Sequence, residues 1–131
     1  YGLERLAMFI QKLDDVYSID FNGLPKSSGG KSYGDIFKDA EKEYSEYNFE
    51  KAKVDKLFNE FDNCVKECND LISSDKPLVK PAYDQCIKAS HIFNLLDARG
   101  VISVSERQAY ILKVRNMSKT CCSEWIKRHE N

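Results

Sequence analysis

From Phe49 to Ile72, apolar side chains return every three or four positions: Val54, Leu57, Phe58, Phe61, Val65, Cys68, Leu71 and Ile72. That spacing lines them along one stripe of a long helix, and a stripe of that length has to be buried against other elements. Ser73 to Pro77 ends it, because Pro77 disfavours helical geometry at the residue before it. The same spacing recurs on either side. Leu3, Leu6, Ala7, Ile10 and Leu13 make a shorter stripe near the start. Ala82, Cys86, Ala89, Phe93 and Leu96 make another, widened by Ile87 and Leu95, so that helix is expected to be central and buried on several sides. Pro81 suits its first turn, where the missing amide has no helical partner to lose, and Gly100 suits a left-handed ending. Ser103-Val104-Ser105-Glu106 is a capping-box pattern. It opens a last helix through Tyr110, Ile111, Val114, Met117, Cys121, Trp125 and Ile126. Residues 101–104 are the one strand-like stretch, and it is too short to count. The expected fold is all-α, a bundle of four to five helices joined by short turns.

Residues 18–34, SIDFNGLPKSSGGKSYG, break this periodicity and read as a loop or linker rich in Gly, Ser and Pro. Asp35 is expected to cap a helix over 36–46, and Tyr47-Asn48 to interrupt it, with Asn48 capping the next. Three parts follow: 1–17, a helix that begins in the middle of a structural unit, with Tyr1 and Gly2 as the end of a strand or turn; 18–34, the linker; and 35–131, a helical domain.

Net charge is −1, which gives no global pull toward nucleic acid, and no apolar run is long enough to span a membrane. The distribution is uneven. Residues 35–75 carry twelve acidic and six basic side chains, whereas 76–131 carry five acidic and ten basic. Such asymmetry either orients a polyanion or an acidic partner, or makes the halves attract each other within one bundle. The five cysteines, 64, 68, 86, 121 and 122, form no CxxC pair, and an odd number without a framework favours reduced, cytosolic thiols. Cys64 and Cys68 lie one turn apart, and Cys121, Trp125 and His129 share a helical face. Tetrahedral zinc needs four converging ligands, so buried apolar thiols are the preferred reading and no metal site is assigned. His91 follows Ser90 directly, a neighbourhood that does not converge for catalysis, and is read as a packing or hydrogen-bonding histidine. Asp97, near a helix C-terminus, needs a cationic partner such as Arg99 or Arg107. Tyr33, Tyr44, Tyr47 and Tyr83 could stack on bases, but in a helical domain of this size they are read as packing residues. Arg5 stands apart. A guanidinium just inside a helix start, behind a glycine, can meet a phosphate with a planar, permanently charged fork, and the helix terminus adds partial positive charge. The competing reading pairs it with Glu4 or Asp15.

The stretch GLERLAMFI, residues 2–10, resembles motif 3 of class II aminoacyl-tRNA synthetases, in which a strand ends in glycines and a helix begins with an acidic residue and an arginine. SYGDIF (32–37), EYNFEKA (46–52) and above all KASHIFNLLDARGVISVSERQAYILKVR (88–115) resemble the α subunit of bacterial glycyl-tRNA synthetase. The resemblance runs from residue 1 to about residue 119. It implies the end of a class II catalytic core followed by a helical C-terminal domain. It implies a cytoplasmic α2β2 enzyme that activates glycine with ATP and Mg2+ and transfers it to tRNA(Gly). Its partners would be a larger β subunit and a second α subunit, with no membrane or DNA. On this resemblance Arg5 occupies the position that binds the ATP phosphates and stabilises charge as pyrophosphate leaves. Glu4 would orient the helix start.

Motifs 1 and 2, the glycine pocket and the earlier glycines of motif 3 do not occur in these residues, and residues 18–32 and 121–131 carry no family signature. The resemblance therefore implies a C-terminal piece of a longer chain. Alone it is not expected to make glycyl adenylate or to hold ATP and Mg2+, since one arginine without opposing contacts cannot orient the substrate. The basic stretch 76–131 offers Arg99, Arg107, Lys113, Arg115 and Lys119 as contacts to tRNA or to the β subunit. The alternative is a non-enzymatic helical interaction module. About 150 or more further residues upstream in the gene, with a second arginine motif on a β-rich pattern, would favour the enzyme.

Overall fold

The computed structural model describes residues 2–130, and within them the regular structure is helical, apart from a mostly irregular segment over 12–32 and short turns between helices. Tyr1, half of the strand-or-turn expected at the start, lies outside the described residues. Five α-helices follow one another: α1 (Leu3–Gln11), α2 (Tyr33–Glu46), α3 (Val54–Ser73), α4 (Val79–Ala98) and α5 (Val104–His129). Among the described residues there is no strand, and one antiparallel bridge joins Asp20 to Ser32. The all-α expectation holds. The chain divides into two compact units, one up to Glu50 and one from Lys51 onward.

In the first unit, α1 ends through Lys12 in the left-handed region (φ 53°), where its amide and that of Leu13 reach back to the carbonyls of Phe9 and Met8. The segment up to α2 is pinned. The Gln11 side chain accepts from the Asp20 amide at 2.8 Å and donates to its carbonyl at 3.3 Å. The Asn22 side chain accepts from the Lys31 amide and donates to the Gly29 carbonyl. Gly30 is needed for closure: a Cβ there would sit 2.2 Å from the Leu24 carbonyl oxygen.

Helix α2 begins at Tyr33. Its N-cap is Ser32 and not Asp35, which sits at the third helical position and closes a reciprocal capping box with Ser32. The loop is correspondingly shorter than 18–34. The break expected at Tyr47-Asn48 is a π-helical turn over Tyr47–Lys51. Asn48 lies inside that turn, and Lys53 is the residue at the N-cap of α3.

The second unit holds nearly all of the core. Phe61, Ala82, Ala89 and Leu96 are fully buried, and Cys68, Cys86 and Cys121 nearly so. Helix α4 is the centre, with Ala82, Cys86, Ala89, Ile92, Phe93, Leu95 and Leu96 buried around its circumference. Ile87 departs from expectation: it is 54% exposed. The rings of Phe61 (α3) and Phe93 (α4) meet Tyr110 (α5) at 4.8 and 6.1 Å, one edge-on and one stacked. Helix α4 ends as expected at Gly100 (φ 67°), with the amides of Gly100 and Val101 bonded to the carbonyls of Asp97 and Leu96. Helix α5 opens on the expected capping box: the Glu106 amide donates to Ser103 Oγ at 3.2 Å and the Ser103 amide donates to Glu106 Oε2 at 3.1 Å.

Candidate functional site

Arg5 is the third residue of α1. It is exposed and forms no ion pair or hydrogen bond among the described residues. Neither Glu4 nor Asp15 takes its guanidinium. The N-cap is Gly2, which has no side chain to accept from the first-turn amides, so these remain open beside Arg5. Glu4 folds back over the helix start: a Cβ on Gly2 would lie 3.0 Å from Glu4 Oε2. Much of the apolar stripe of α1 is uncovered, with Leu3 80%, Leu6 49% and Ile10 75% exposed, and Phe9 beside it is 83% exposed. The helix start thus carries the planar Arg5 cation, the partial positive charge of open first-turn amides and, folded over them, the Glu4 carboxylate.

Elsewhere in this unit the hydroxyls of Tyr17 and Tyr33 both donate to the Glu41 carboxylate, at 3.0 and 2.7 Å. Those bonds hold both phenols protonated above their usual range. Tyr33 also packs against Phe37 at 4.7 Å. It serves the loop–α2 junction. Tyr17 and Glu41 were not singled out in the sequence; nothing in the chain shows that residues 24 positions apart share a hydrogen bond.

The five basic candidates of the second unit separate into two groups. Arg99 donates to the Ala52 carbonyl at 3.0 Å. Arg107 pairs with Asp97 at 3.1 Å, which supplies the partner Asp97 required. Lys113 pairs with Asp62 of α3 at 3.8 Å and lies over the rings of Phe61 and Tyr110. Arg115 and Lys119 are exposed, one turn apart on α5, and carry no partner among the described residues. His91 is exposed on α4, and His129 stacks on Trp125 at 4.2 Å.

Cys64, Cys68, Cys86 and Cys121 are buried thiols and Cys122 is exposed. Cys68 and Cys121 touch across α3 and α5 with their sulfurs 3.9 Å apart. Burial pushes the Cys68 thiol up to about 12, so it is inert at neutral pH. No group of three or more His, Cys, Asp or Glu among the described residues could hold a metal ion. No helix among them is long and apolar enough to cross a membrane.

Comparison with known protein families decides what this arrangement belongs to: residues 1–130 match the family model of the glycyl-tRNA synthetase alpha subunit. The chain belongs to that family. The match covers the α1 segment and the helical unit together, so both are parts of one synthetase subunit and neither is a foreign appendage. Arg5 and its open helix start lie within it, as does the capped, fully helical stretch from α3 to α5.

Proposed function

We propose that α1 is the motif 3 helix of the subunit's catalytic domain and that Arg5 binds the phosphates of ATP while glycine is activated. The observation that carries this reading is the unpaired guanidinium at the third position of a helix whose first amides are open, in a chain of this family. As the α-phosphate is attacked by the glycine carboxylate, negative charge moves onto the departing pyrophosphate. A fixed cation with two parallel donors stabilises that charge without moving a proton. Glu4, folded over the helix entrance, holds the terminus and takes no part in proton transfer. The exposed stripe of Leu3, Leu6 and Ile10 is the face by which α1 packs on the rest of that domain. Magnesium would enter as the ion of ATP; the described residues offer no ligand set for it, and no step here depends on one.

The helical unit from Lys51 onward acts as scaffold and docking domain in a cytoplasmic α2β2 enzyme that charges tRNA(Gly). Arg115 and Lys119 are its available cations for a partner surface. Arg99, Arg107 and Lys113 are engaged within the fold and act on partners through the structure they hold.

The test is glycine-dependent ATP–pyrophosphate exchange in the intact enzyme. Arg5→Ala should lower it by about 10²–10³-fold, the scale of losing one oriented charge-stabilising donor set, with the circular dichroism spectrum unchanged. Near-normal exchange would remove Arg5 from the site. The 131-residue chain alone should show no exchange and remain helical.

A further inference from the structure

Along the second unit, α4 and α5 leave an open groove. Its wider part, about 730 Å³, is lined by Val79, Lys80, Tyr83, Cys122, Trp125 and Ile126 among others. A second stretch of about 390 Å³ continues it along Ile87, Ser90, Asn94, Val114 and Ser118, with Tyr83 common to both. The groove therefore follows α4 from Val79 to Asn94, about 22 Å at 1.5 Å per residue. The wider part is floored by apolar side chains that stay partly exposed, Tyr83 45%, Trp125 43% and Ile126 50%; the continuation sets Ile87, 54% exposed, and Val114 among the polar Ser90, His91, Asn94 and Ser118.

Charge sits on the rims. At 100° per residue, Arg115 and Lys119 follow Val114 and Ser118 round α5 on its outward side, the side that Ile126 also occupies. Neither has a partner among the described residues. On the α4 rim Lys80 reaches over the Trp125 ring at 5.9 Å, and Asp84 is the one acidic side chain lining the groove. A trough about one helix long, apolar at its Trp125 end, has Lys80, Arg115 and Lys119 along its rims against Asp84 and, on the same side of α5 as Lys119, Glu130; its edge keeps an excess of positive charge, and that defines its complement.

We propose that this groove receives an amphipathic helix of a protein partner, apolar along the stripe that meets Tyr83, Ile87 and Trp125 and acidic along its flanks. Such a helix completes a four-helix arrangement with α3, α4 and α5. A nucleic acid strand fits less well. One face of the only tryptophan is taken by His129 at 4.2 Å, and the floor offers no row of cations at phosphate spacing. The inference rests on the reading above that the unit docks the larger subunit, and it specifies where and by what chemistry.

Trp125 is the single tryptophan of the chain, so it reports on the groove alone. The chain is labelled with 5-fluorotryptophan and mixed with the purified larger subunit. Complex formation is followed by gel filtration and the label by fluorine NMR. The expected result is a complex with a shifted Trp125 resonance. Affinity should fall at least tenfold for Ile87→Lys and again for the Arg115→Glu, Lys119→Glu pair, with helicity unchanged because all three side chains are exposed. A complex that forms with the resonance unmoved and full affinity in both variants overturns the groove and leaves the docking reading standing. A shift that follows the chain's own concentration assigns the groove to a second copy, and a shift produced by tRNA alone assigns it to RNA; both overturn the proposal. Absence of any complex overturns the docking reading and this inference with it.

Discussion

Arg5 and Arg107 look alike in the sequence, each beside a glutamate at a helix start, yet the fold treats them differently. Arg107 is drawn to Asp97 at 3.1 Å across the α4–α5 turn, while Arg5 meets no such partner among the described residues. The turn brings Asp97 and Arg107 together within ten residues; the sequence shows that Asp97 needs a cation and offers Arg99, Arg107 or a lysine, and the fold selects Arg107. Lys113 and Asp62, on different helices, were not legible as a pair, because sequence spacing carries no information on which helix faces which. The Asp97–Arg107 pair is half exposed, so Asp97→Asn should destabilise by no more than about 1 kcal/mol, measured by urea unfolding. Phe61 is the opposite case. It is fully buried against Tyr110, and Phe61→Ala should cost about 3–5 kcal/mol in the same measurement.

Helix ends were read from four-residue patterns, and those patterns succeed when every partner lies within them. Ser103 and Glu106 satisfy each other inside α5's first turn, so their box was legible, as was the left-handed Gly100. The α2 start was misread by three residues. Asp35 can accept an amide either as an N-cap or from the third helical position, and the bridge from Asp20 to Ser32, which holds Ser32 extended, is invisible in the local sequence. Removing the cap hydroxyl in Ser103→Ala should cost about 1 kcal/mol.

The boxes also set an acid limit. Ser32 holds the Asp35 carboxyl, and Ser103 the Glu106 carboxyl, below their ordinary values of 3.8 and 4.5. Because the folded values are depressed, both contributions are complete above those ordinary values and disappear as pH falls through the lower folded values. Helicity followed from pH 6 to 2 should therefore fall less steeply in Asp35→Asn, Glu106→Gln than in the parent chain.

Over the whole chain, burial is as uneven as charge. Among the described residues every buried hydrophobic side chain except Ile19 lies at or beyond Ala52. The periodicity of α3 to α5 made that core legible. What the stripe of α1 could not reveal is that Leu3, Phe9 and Ile10 stay exposed, since amphipathicity records the need for a neighbour and not its identity. A segment spanning 51–131 should consequently fold alone, helical with a cooperative melt, whereas 1–50 should be largely unfolded in isolation. Circular dichroism of the two pieces checks this. The acidic and basic halves also meet within the second unit, where Lys113 of α5 pairs with Asp62 of α3; Arg115 and Lys119 have no ion-pair partner among the described residues. The decisive experiment on Arg5 compares Arg5→Ala with Arg5→Lys in the intact enzyme by glycine-dependent ATP–pyrophosphate exchange. A planar fork on phosphate predicts a loss of about 10²–10³-fold for Ala and incomplete recovery for Lys, which brings charge without the paired donors. Exchange at the parental rate in Arg5→Ala would contradict it.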